Sequence, residues 1–461
     1  MAEKFEVLTR DAAGATPLHA VSKDKLGDWV AGQSVQTKTW IEATGFEGAS
    51  GRICLVPGAD GKPVAALIGT SATDGMWSFG NGARDLPRGT YKLVTALGAE
   101  DASRAALAWG LGAYAFGRYK EMEGPRARLV WPDAADESEV RAMLDGIVMA
   151  RDLINTPTED MGPSALADAG QQLARRHNAK FSVIVGDDLL KQNYPSIHAI
   201  GRASDEAPRL IDITWGDETA PKVTLCGKGV CFDTGGLDIK PASGMKLMKK
   251  DMGGGANIMA LAHVIMATGL NVRLRVLVPA VENAIAGNAV RPLDVIRARS
   301  GKTIEIGNTD AEGRVILADA LAEACTERPD LLIDFATLTG AARVALGADL
   351  PALFCNDDAL AGDLIAAGTQ EQDPLWRLPL WPGYRRHIEG KVGDITNAPE
   401  TPQGGAITAA LFLQEFVTAG TKWAHVDMMA WNSSNRPGRP EGGESQAVRA
   451  CYALIKKRYG N

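Results

Sequence analysis

The chain has 461 residues, of which 45% are hydrophobic and 23% are charged, and its formal net charge at pH 7 is −7. This length and apolar content are sufficient for two or three domains with buried cores. The negative charge argues against a surface that mainly binds nucleic acid, and no apolar run reaches the roughly 18 residues of a membrane span.

The first part of the chain predicts a smaller α/β domain. Residues 1–6 have no apolar stretch of the kind found in signal peptides, so we expect a cytoplasmic protein. Apolar runs at residues 64–69 and 91–96 predict buried strands, and the alanine-rich segment 102–119 predicts a helix. We therefore assign residues 1–135 to an N-terminal α/β domain.

A linker helix and a larger C-terminal domain are predicted to follow. The charged stretch 132–140 leads into a helical pattern that ends near Pro157, since proline disfavours helix for the residue before it. We place the linker helix at residues 136–160 and the larger domain at residues 161–461. Helical patterns separate its candidate strands, which are residues 180–185, 210–215, 223–226, 272–278, 303–306 and 331–335. This alternation predicts an α/β fold with a central, largely parallel sheet flanked by helices, which binds ligands beyond the carboxyl ends of its strands.

The cysteines and histidines argue against two other kinds of site. The six cysteines are scattered without a Cys-x-x-Cys pair, which indicates reduced, mostly buried thiols. The chain has no His-Glu-x-x-His sequence, so a thermolysin-like zinc site is excluded. We interpret His425, which lies between Trp423 and Asp427, as a packed side chain and not as a metal ligand.

The most informative segment is residues 307–314, which read Gly-Asn-Thr-Asp-Ala-Glu-Gly-Arg before an apolar helical run. Asp310 and Glu312 are two residues apart, so their side chains leave the same face if the backbone is extended. Further charged candidates lie upstream in glycine-rich segments, namely Lys228, Asp233, Lys240 and Asp251. Because glycine is costly unless the backbone takes unusual angles or approaches a ligand, these segments favour a binding site.

Convergence of these side chains would place four carboxylates in one pocket. Like charges a few ångströms apart need compensation, and two divalent cations would supply it. Such a pair of ions can also acidify a bridging water and polarise a carbonyl. Lys240 and Arg314 would remain as positive groups, suited to a developing oxyanion or to a bound anion. Lys228 can ligate a metal only as the neutral amine.

Each candidate also has a structural interpretation. Asp310 and Glu312 could offset the amides at a helix N-terminus, and Asp251 could cap the helix that follows it. Lys228 and Asp233 could form an ordinary ion pair, and Lys240 could be a solvated loop residue. From the residues taken one at a time, these interpretations remain open.

Taken together, the motifs resemble the leucyl aminopeptidases, a family of two-metal exopeptidases. The match runs in order through Gly-Lys-Gly at residues 227–229, Phe-Asp-Thr-Gly-Gly at 232–236, Asp-Met-Gly-Gly at 251–254 and the segment 307–314. It continues through Ala-Thr-Leu-Thr-Gly-Ala at residues 336–341 and Trp-Ala-His-Val-Asp at 423–427. Two positions depart from the family pattern, because Cys226 stands where valine is common and Thr234 where serine is common. The resemblance is specific from about Arg151 onward and faint before it.

The resemblance implies a role for each matched residue. One metal is held by Lys228, Asp233, Asp251 and Glu312, and the other by Asp233, Asp310 and Glu312. Lys240 and Arg314 become catalytic: the lysine stabilises the intermediate, and a bicarbonate held by the arginine acts as general base toward the bridging water. Four residues match positions that line or flank the pocket for the substrate side chain, namely Met248, Thr337, Leu338 and Gly340.

The resemblance also implies the substrate, the metals and the assembly. The expected activity is the removal of N-terminal residues, with leucine and other apolar residues favoured, from peptides with a free amine that binds a metal. The ions are expected to be zinc or manganese, since oxygen-rich sites accept several metals. A cytoplasmic homohexamer without membrane or nucleic-acid partners is expected.

Three alternatives from other classes stay open at this stage. The ligand set alone also suits a two-metal phosphoester hydrolase. Some bacterial relatives of the family bind DNA as regulators, so a DNA-binding role beside peptidase activity is a second alternative. Residues 300–303, Ser-Gly-Lys-Thr, resemble the end of a nucleotide-binding P-loop, but Ile296 stands where the motif requires its first glycine.

Overall fold

The computed structural model describes residues 7–122, 124 and 127–460. Residues 1–6, where no signal peptide is expected, lie outside this part. The chain folds into two compact units: unit 1 contains the described part of Met1–Val148 together with Ser433–Glu441, and unit 2 contains Met149–Asn432 and the described residues from Gly442 onward. The domain boundaries that we place at residues 135 and 160 stay predictions.

Unit 1 is built on a six-stranded sheet in the order β1-β6-β5-β2-β4-β3, in which only the β3–β4 pair is antiparallel. Its strands are β1 (Leu8–Thr9), β2 (Thr16–Ser22), β3 (Ile53–Pro57), β4 (Pro63–Thr70), β5 (Gly89–Leu93) and β6 (Ala127–Val130). Its helices are α1 (Lys23–Ala31), α2 (Val35–Thr44), α3 (Gly82–Asp85) and α4 (Ala99–Gly112), and α5 (Glu137–Asn155) continues into unit 2. The predicted smaller α/β unit is therefore confirmed.

Two elements of unit 1 end earlier than the sequence predicts. Strand β5 stops at Leu93, because the Thr95 hydroxyl oxygen, and not backbone, accepts from the Ala20 amide at 2.9 Å. Helix α4 stops at Gly112 and not near residue 119. Glycines at 110 and 112 weaken its last turn, since glycine costs about 1 kcal/mol relative to alanine inside a helix.

Unit 2 contains a nine-stranded sheet in the order β16-β15-β18-β14-β9-β11-β8-β7, with β10 also paired to β11. Its strands are β7 (Lys180–Val185), β8 (Arg209–Trp215), β9 (Lys222–Gly227), β10 (Gly229–Asp233), β11 (Arg273–Asn283), β14 (Leu331–Ala336), β15 (Ala352–Cys355), β16 (Trp376–Arg377) and β18 (Trp423–Asp427). The centre, β18-β14-β9-β11, is parallel, whereas β15–β18, β11–β8 and β8–β7 are antiparallel. The predicted central, largely parallel sheet is confirmed, with antiparallel pairs nearer its edges.

Helices flank this sheet, as predicted. They are α6 (Pro163–Arg176), α7 (Asp188–Lys191), α8 (Pro195–Gly201), α9 (Ala242–Met245), α10 (Gly253–Ala267), α11 (Glu312–Thr326), α12 (Gly340–Leu346), α13 (Asp358–Gln370), α14 (Gly405–Gln414) and α15 (Val448–Tyr459). Nearly every residue of α10 and α11 is buried, so both are core helices. Within the described ranges, no helix is both long enough and apolar enough to cross a membrane.

Two small sheets complete unit 2. One has the order β12 (Val295–Arg297), β13 (Thr303–Glu305) and β17 (Ile395–Thr396), and the other pairs β19 (Trp431–Asn432) with β20 (Gly442–Gly443). Residues 300–303 lie at the turn that connects β12 to β13, where Gly301 has φ +90°. A hairpin turn does not form the phosphate-binding loop of a P-loop, which must lead into a helix.

The carboxyl ends of the parallel strands meet at one edge of the sheet. Ala336, the last residue of β14, is in register with Asp427, the last residue of β18, and Phe335 is in register with Gly227 of β9. Helix α10 begins directly against this edge, because a Cβ at Gly254 would lie 2.2 Å from the Phe335 carbonyl oxygen. The sheet edge is thus brought close to the start of a helix, where the charged candidates lie.

His425 and the cysteines are buried, as predicted. The His425 side chain lies in β18, where its Nδ1 is 2.6 Å from Asp334 Oδ1, and Trp423 Nε1 donates to Asp334 Oδ2 at 2.7 Å. Burial opposes the charge on His425, but the carboxylate of Asp334 outweighs it and raises the pKa of the imidazole. All six cysteines are buried and free.

We expect Asp334→Ala to reduce the free energy of unfolding by about 3 kcal/mol or more, since it leaves the buried indole of Trp423 and the buried imidazole of His425 without their shared acceptor. The matched control is Asp188→Ala, which removes an exposed carboxylate paired with Lys191 and should cost less than about 1 kcal/mol. Denaturant unfolding followed by tryptophan fluorescence measures both. Equal effects of the two substitutions would contradict the role of Asp334 as a buried acceptor.

Candidate active site

The predicted ligands come from four connections around the carboxyl edge of the unit 2 sheet. Lys228 follows β9, Asp233 ends β10, Asp251 lies in a short 3₁₀ segment before α10, and Glu312 begins α11. After Asp233 the chain turns sharply through Gly235, at φ +89°, where a Cβ would lie 2.6 Å from the Asp238 carbonyl oxygen. These four connections bring distant parts of the sequence to one place.

The two lysines of the site neutralise its carboxylates. Lys228 Nζ lies 2.7 Å from both Asp251 Oδ2 and Glu312 Oε1. Lys240 Nζ lies 2.9 Å from Asp233 Oδ2 and also pairs with Asp310. In this structure both neighbours of the Lys240 ammonium are therefore carboxylates.

The carboxylates fit divalent cations. Asp233, Asp310 and Glu312 each offer an oxygen within 4.8 Å of the others, a spacing close to that of two oxygens on one ion at about 2.0–2.5 Å. Burial and the charge of Asp233 raise the pKa of Glu312 to about 8 and that of Asp310 to about 6. Four carboxylates, those of Asp233, Asp251, Asp310 and Glu312, face only two ammonium groups, so a cation would stabilise the site.

Lys228 is positioned for ligation but is charged here. Burial opposes its charge, yet the carboxylates of Asp251, Glu312 and Asp233 outweigh burial and raise the pKa of the amine. A cation in this position must therefore displace a proton from the amine. Gly313 makes room for the side chain, since a Cβ there would lie 2.6 Å from Lys228 Nζ.

Arg314 remains without a carboxylate partner among the described residues. Its Nη1 donates to the Asn397 carbonyl oxygen at 2.7 Å, and its buried Nε has no acceptor within the described ranges. Burial lowers the pKa of this guanidinium to about 10. A buried guanidinium with a free donor is suited to an anion.

The structural alternatives describe these residues only in part. Neither α10 nor α11 receives a capping hydrogen bond from a side chain, so Asp251, Asp310 and Glu312 are not caps, although Glu312 lies in the first turn of α11, where a carboxylate is favourable. Lys228 pairs with Asp251 and Glu312, and not with Asp233. The expected extended backbone between Asp310 and Glu312 is also wrong, because the chain turns there and Glu312 already begins α11.

A cavity of about 360 Å³ opens beside these groups. All four residues predicted to contact the substrate side chain lie in its wall, namely Met248, Thr337, Leu338 and Gly340. Thr337 also contacts two candidate ligands, because its hydroxyl donates to Asp251 Oδ1 at 2.8 Å, and Lys228 Nζ donates to its carbonyl oxygen at 3.1 Å. The structure thus places the cavity directly against the carboxylate cluster.

Several supporting residues were not identified from the sequence. Asn283 Nδ2 donates to Asp233 Oδ1 at 2.8 Å and to the Thr309 carbonyl oxygen at 3.1 Å, which links β11 to both ligand loops. Asp427 accepts from the Leu338 and Thr339 amides at 2.9 and 3.1 Å. Asp427 belongs to a recognised motif that could have identified it, whereas Asn283 carries no local signal.

Comparison with known proteins gives the same picture over both units. A family model described as "Cytosol aminopeptidase family, catalytic domain" matches residues 148–452, and one described as "M17 aminopeptidase, N-terminal domain" matches residues 16–132. The probable cytosol aminopeptidase of Rhodococcus jostii (strain RHA1) is 36% identical, with 94% of this chain and 91% of the relative covered. That of Caulobacter vibrioides (strain ATCC 19089 / CIP 103742 / CB 15) is also 36% identical, with 98% and 96% covered.

Two solved structures are similar over nearly the whole chain. The crystal structure of cytosol aminopeptidase from Coxiella burnetii is 50% identical, with a TM-score of 0.95, and covers 98% of this chain and 99% of its own. The bottromycin maturation enzyme BotP, in complex with Mn, is 34% identical, with a TM-score of 0.87, and covers 96% and 99%.

We expect Gly313→Ala to weaken Mn²⁺ binding by about 10- to 100-fold, the range typical of groups that support a metal ligand, because the new methyl group displaces the Lys228 amine. The control is Gly362→Ala in α13, another helical glycine, where a Cβ meets nothing within 4 Å. Equilibrium dialysis with metal analysis measures binding without reference to activity. Unchanged affinity in Gly313→Ala would argue against Lys228 as a ligand.

We expect Mn²⁺ affinity to rise with pH between about 6 and 8. For each proton that the ion displaces, the affinity should rise by up to about tenfold per pH unit. The sign follows from the raised pKa values of Glu312 and Lys228: below them the ion competes with bound protons, and above them it does not. Calorimetry in two buffers of different ionisation enthalpy counts the released protons. A pH-independent affinity without proton release would contradict this expectation.

Proposed function

Because the chain belongs to the cytosol aminopeptidase family and is a metal-dependent aminopeptidase, we propose that it removes single residues from the free N-terminus of peptides with a water activated by two divalent cations. The observation that carries this proposal is the convergence of Asp233, Asp310 and Glu312 beside the cavity. The phosphoester hydrolase and DNA-binding alternatives receive no support from the comparisons.

The ligand residues divide between two cation positions. Lys228, Asp233, Asp251 and Glu312 would hold one ion, and Asp233, Asp310 and Glu312 the other. Two ions at these positions would supply an acidified bridging water and a polarised scissile carbonyl. Manganese and zinc both suit the donor set, and the Mn complex of BotP favours manganese.

Lys240 and Arg314 would act on the substrate side of the site. The Lys240 ammonium, held by Asp233 and Asp310, lies in the cavity wall, where it can donate to the oxyanion of a tetrahedral intermediate. Arg314 would orient an anion such as bicarbonate with its free Nε donor, beside the water that attacks. Ion pairs with Asp233 and Asp310 hold the Lys240 ammonium in place, and the Asn397 carbonyl oxygen holds the Arg314 guanidinium. Groups held in this way lose less freedom when they bind the reacting atoms than mobile surface side chains do.

The cavity would select the N-terminal side chain. Met248 and Leu338 supply apolar surface, which suits leucine or methionine, while Thr337 and Gly340 complete the wall. A peptide amine would bind at a cation and the side chain would enter the cavity. Substrates with an acetylated amine would lose that anchor.

We also propose a cytoplasmic homohexamer. The relatives named as cytosol aminopeptidases support the location, and the family resemblance supports the assembly. Large exposed apolar side chains such as Val344 and Val392, which are 86% and 83% exposed, offer surface that self-association could cover. Sedimentation equilibrium measures the assembly directly, and a monomer at working concentration would contradict the hexamer.

The activity is tested with leucine p-nitroanilide and its N-acetylated counterpart, before and after chelation and with Mn²⁺ or Zn²⁺ restored. We expect chelator-sensitive cleavage of the free-amine substrate alone. Cleavage of both substrates would contradict recognition of the amine, and cleavage that survives removal of the metal would contradict the metal-activated water.

We expect the site variants to separate binding from catalysis. Glu312→Ala should lose both metal and turnover, because it removes a carboxylate shared by the two cation positions. Asp310→Ala should lose turnover and weaken binding of the ion that Asp310 would hold. Lys240→Ala should retain metal while kcat falls by about 10²- to 10³-fold, the usual cost of losing one oxyanion donor. Lys246→Ala, in the same loop but outside the cavity wall, serves as the control and should match the wild type. Substantial turnover in all three site variants would refute the assignment of roles.

A further inference from the structure

The cavity that receives the substrate side chain contains a lysine that the proposed chemistry does not use. Lys250 precedes the ligand Asp251, lines the cavity and is only 5% exposed. Across the described ranges, no carboxylate oxygen lies within 4.0 Å of its ammonium and no hydrogen bond involves its side chain. A buried cation without a partner is costly, so its retention beside a binding cavity calls for a ligand that pairs with it.

The carboxylates nearest to Lys250 are already engaged. Asp251 pairs with Lys228 and accepts from Thr337. Asp427 accepts from two backbone amides and from the Thr339 hydroxyl, whose Oγ1 lies 2.6 Å from Asp427 Oδ2. The charges of Asp251 and Asp427 act on Lys250 from a distance, but neither carboxylate forms an ion pair with its ammonium within 4.0 Å among the described residues. A ligand in the cavity can therefore supply the direct partner that Lys250 lacks.

A second cation lies in the same wall. Arg343 of α12 lines the cavity, and its Nη1 is 3.6 Å from Met429 Sδ. No carboxylate oxygen lies within 4.0 Å of its guanidinium in the part of the chain that the structure describes. Two cations from separate segments, α12 and the loop before α10, therefore share one cavity with apolar residues that include Leu247, Met248 and Met428.

We propose that this cavity accepts acidic N-terminal residues, glutamate above all, and that Lys250, assisted by Arg343, discriminates glutamate from glutamine. The inference rests on the proposed aminopeptidase function and names one substrate class of that same site. An apolar wall matches the two methylene groups of glutamate, and the cations match its carboxylate. Leucine and methionine remain substrates through the apolar wall alone.

Glutamine is the informative competitor, because it has nearly the same size as glutamate but no charge. A glutamate carboxylate that enters the cavity exchanges water for a charge-assisted contact with Lys250. A glutamine amide leaves the ammonium without a counter-charge. Sites with buried polar groups reject ligands that leave those groups unpaired, so kcat/KM should favour glutamate.

The experiment compares kcat/KM for glutamate, glutamine and leucine p-nitroanilides with the Mn²⁺-loaded full chain. The variants are Lys250→Met and Arg343→Met, and the matched control is Lys246→Met, which removes a lysine of the same loop that does not line the cavity. Arg343 is exposed on α12, so its variant tests the proposal even if Lys250→Met fails to fold.

We expect the wild type and Lys246→Met to share a glutamate-to-glutamine ratio well above one. Lys250→Met should lower this ratio at least about tenfold, and Arg343→Met about threefold, as expected for the loss of a buried and of an exposed charge contact. Both kcat/KM values in the ratio come from the same preparation of one variant. A partial loss of folded enzyme lowers both values equally and leaves the ratio unchanged.

Three results would overturn the inference. If leucine and glutamine substrates are cleaved but the glutamate-to-glutamine ratio of kcat/KM stays within about twofold of the wild-type ratio in both cavity variants, the two cations do not discriminate between these side chains. If kcat/KM per folded, Mn²⁺-loaded enzyme falls equally for all three substrates in Lys250→Met, Lys250 does not discriminate between side chains and instead supports a step common to all of them. If no free-amine substrate is cleaved under any metal, the proposed function fails and the inference falls with it.

Discussion

The balance of charge in one buried pocket is the constraint on which the rest of the site depends. Asp233, Asp251 and Glu312 are almost completely buried, and each would be unstable as an isolated anion. Lys228 and Lys240 supply two positive charges against the four carboxylates of the cluster, so the compensation is incomplete, and burial and the charge of Asp233 raise the pKa of Glu312. Divalent cations complete it, so the same residues that would destabilise an empty pocket become a strong oxygen-rich site.

The fold meets this constraint by bringing several chain segments to the carboxyl edge of one sheet. Parallel strands end at a common edge, and each continues into a short loop that carries one or two charged side chains. Close backbone approach at Gly254 lets α10 begin directly against that edge, and Gly313 leaves room for the Lys228 side chain at the start of α11. Hydrogen bonds from Asn283 and Thr337 then fix the carboxylates of Asp233 and Asp251, which limits their motion before any ion binds.

The proposed selection of substrates would depend on the same electrostatics in the adjoining cavity. The cavity wall continues from the carboxylate cluster to an apolar surface. In the sequence, Lys250 stands between Met248 of the apolar surface and Asp251 of the carboxylate cluster. Its neighbours Asp251 and Asp427 are occupied by other donors, so its charge is available to a ligand. A residue that is unremarkable in sequence thus becomes important because the carboxylates around it have already been satisfied.

The sequence by itself determined the fold class, the family and the membership of the charged cluster. Alternating strands and helices predicted the parallel core, and the spacing of Asp310, Glu312 and Arg314 beside glycines pointed to the segment that carries the candidate ligands, because these signals are local. Only the tertiary structure decided which groups pair: Lys228 with Asp251 and Glu312, Lys240 with Asp233 and Asp310, and Lys250 with none of them among the described residues. Pairing depends on contacts between residues far apart in the chain, as the support of Asp233 by Asn283 also shows. Local pattern carries no information about such contacts, which is why Asn283 and the unpaired charge of Lys250 emerged only from the folded chain.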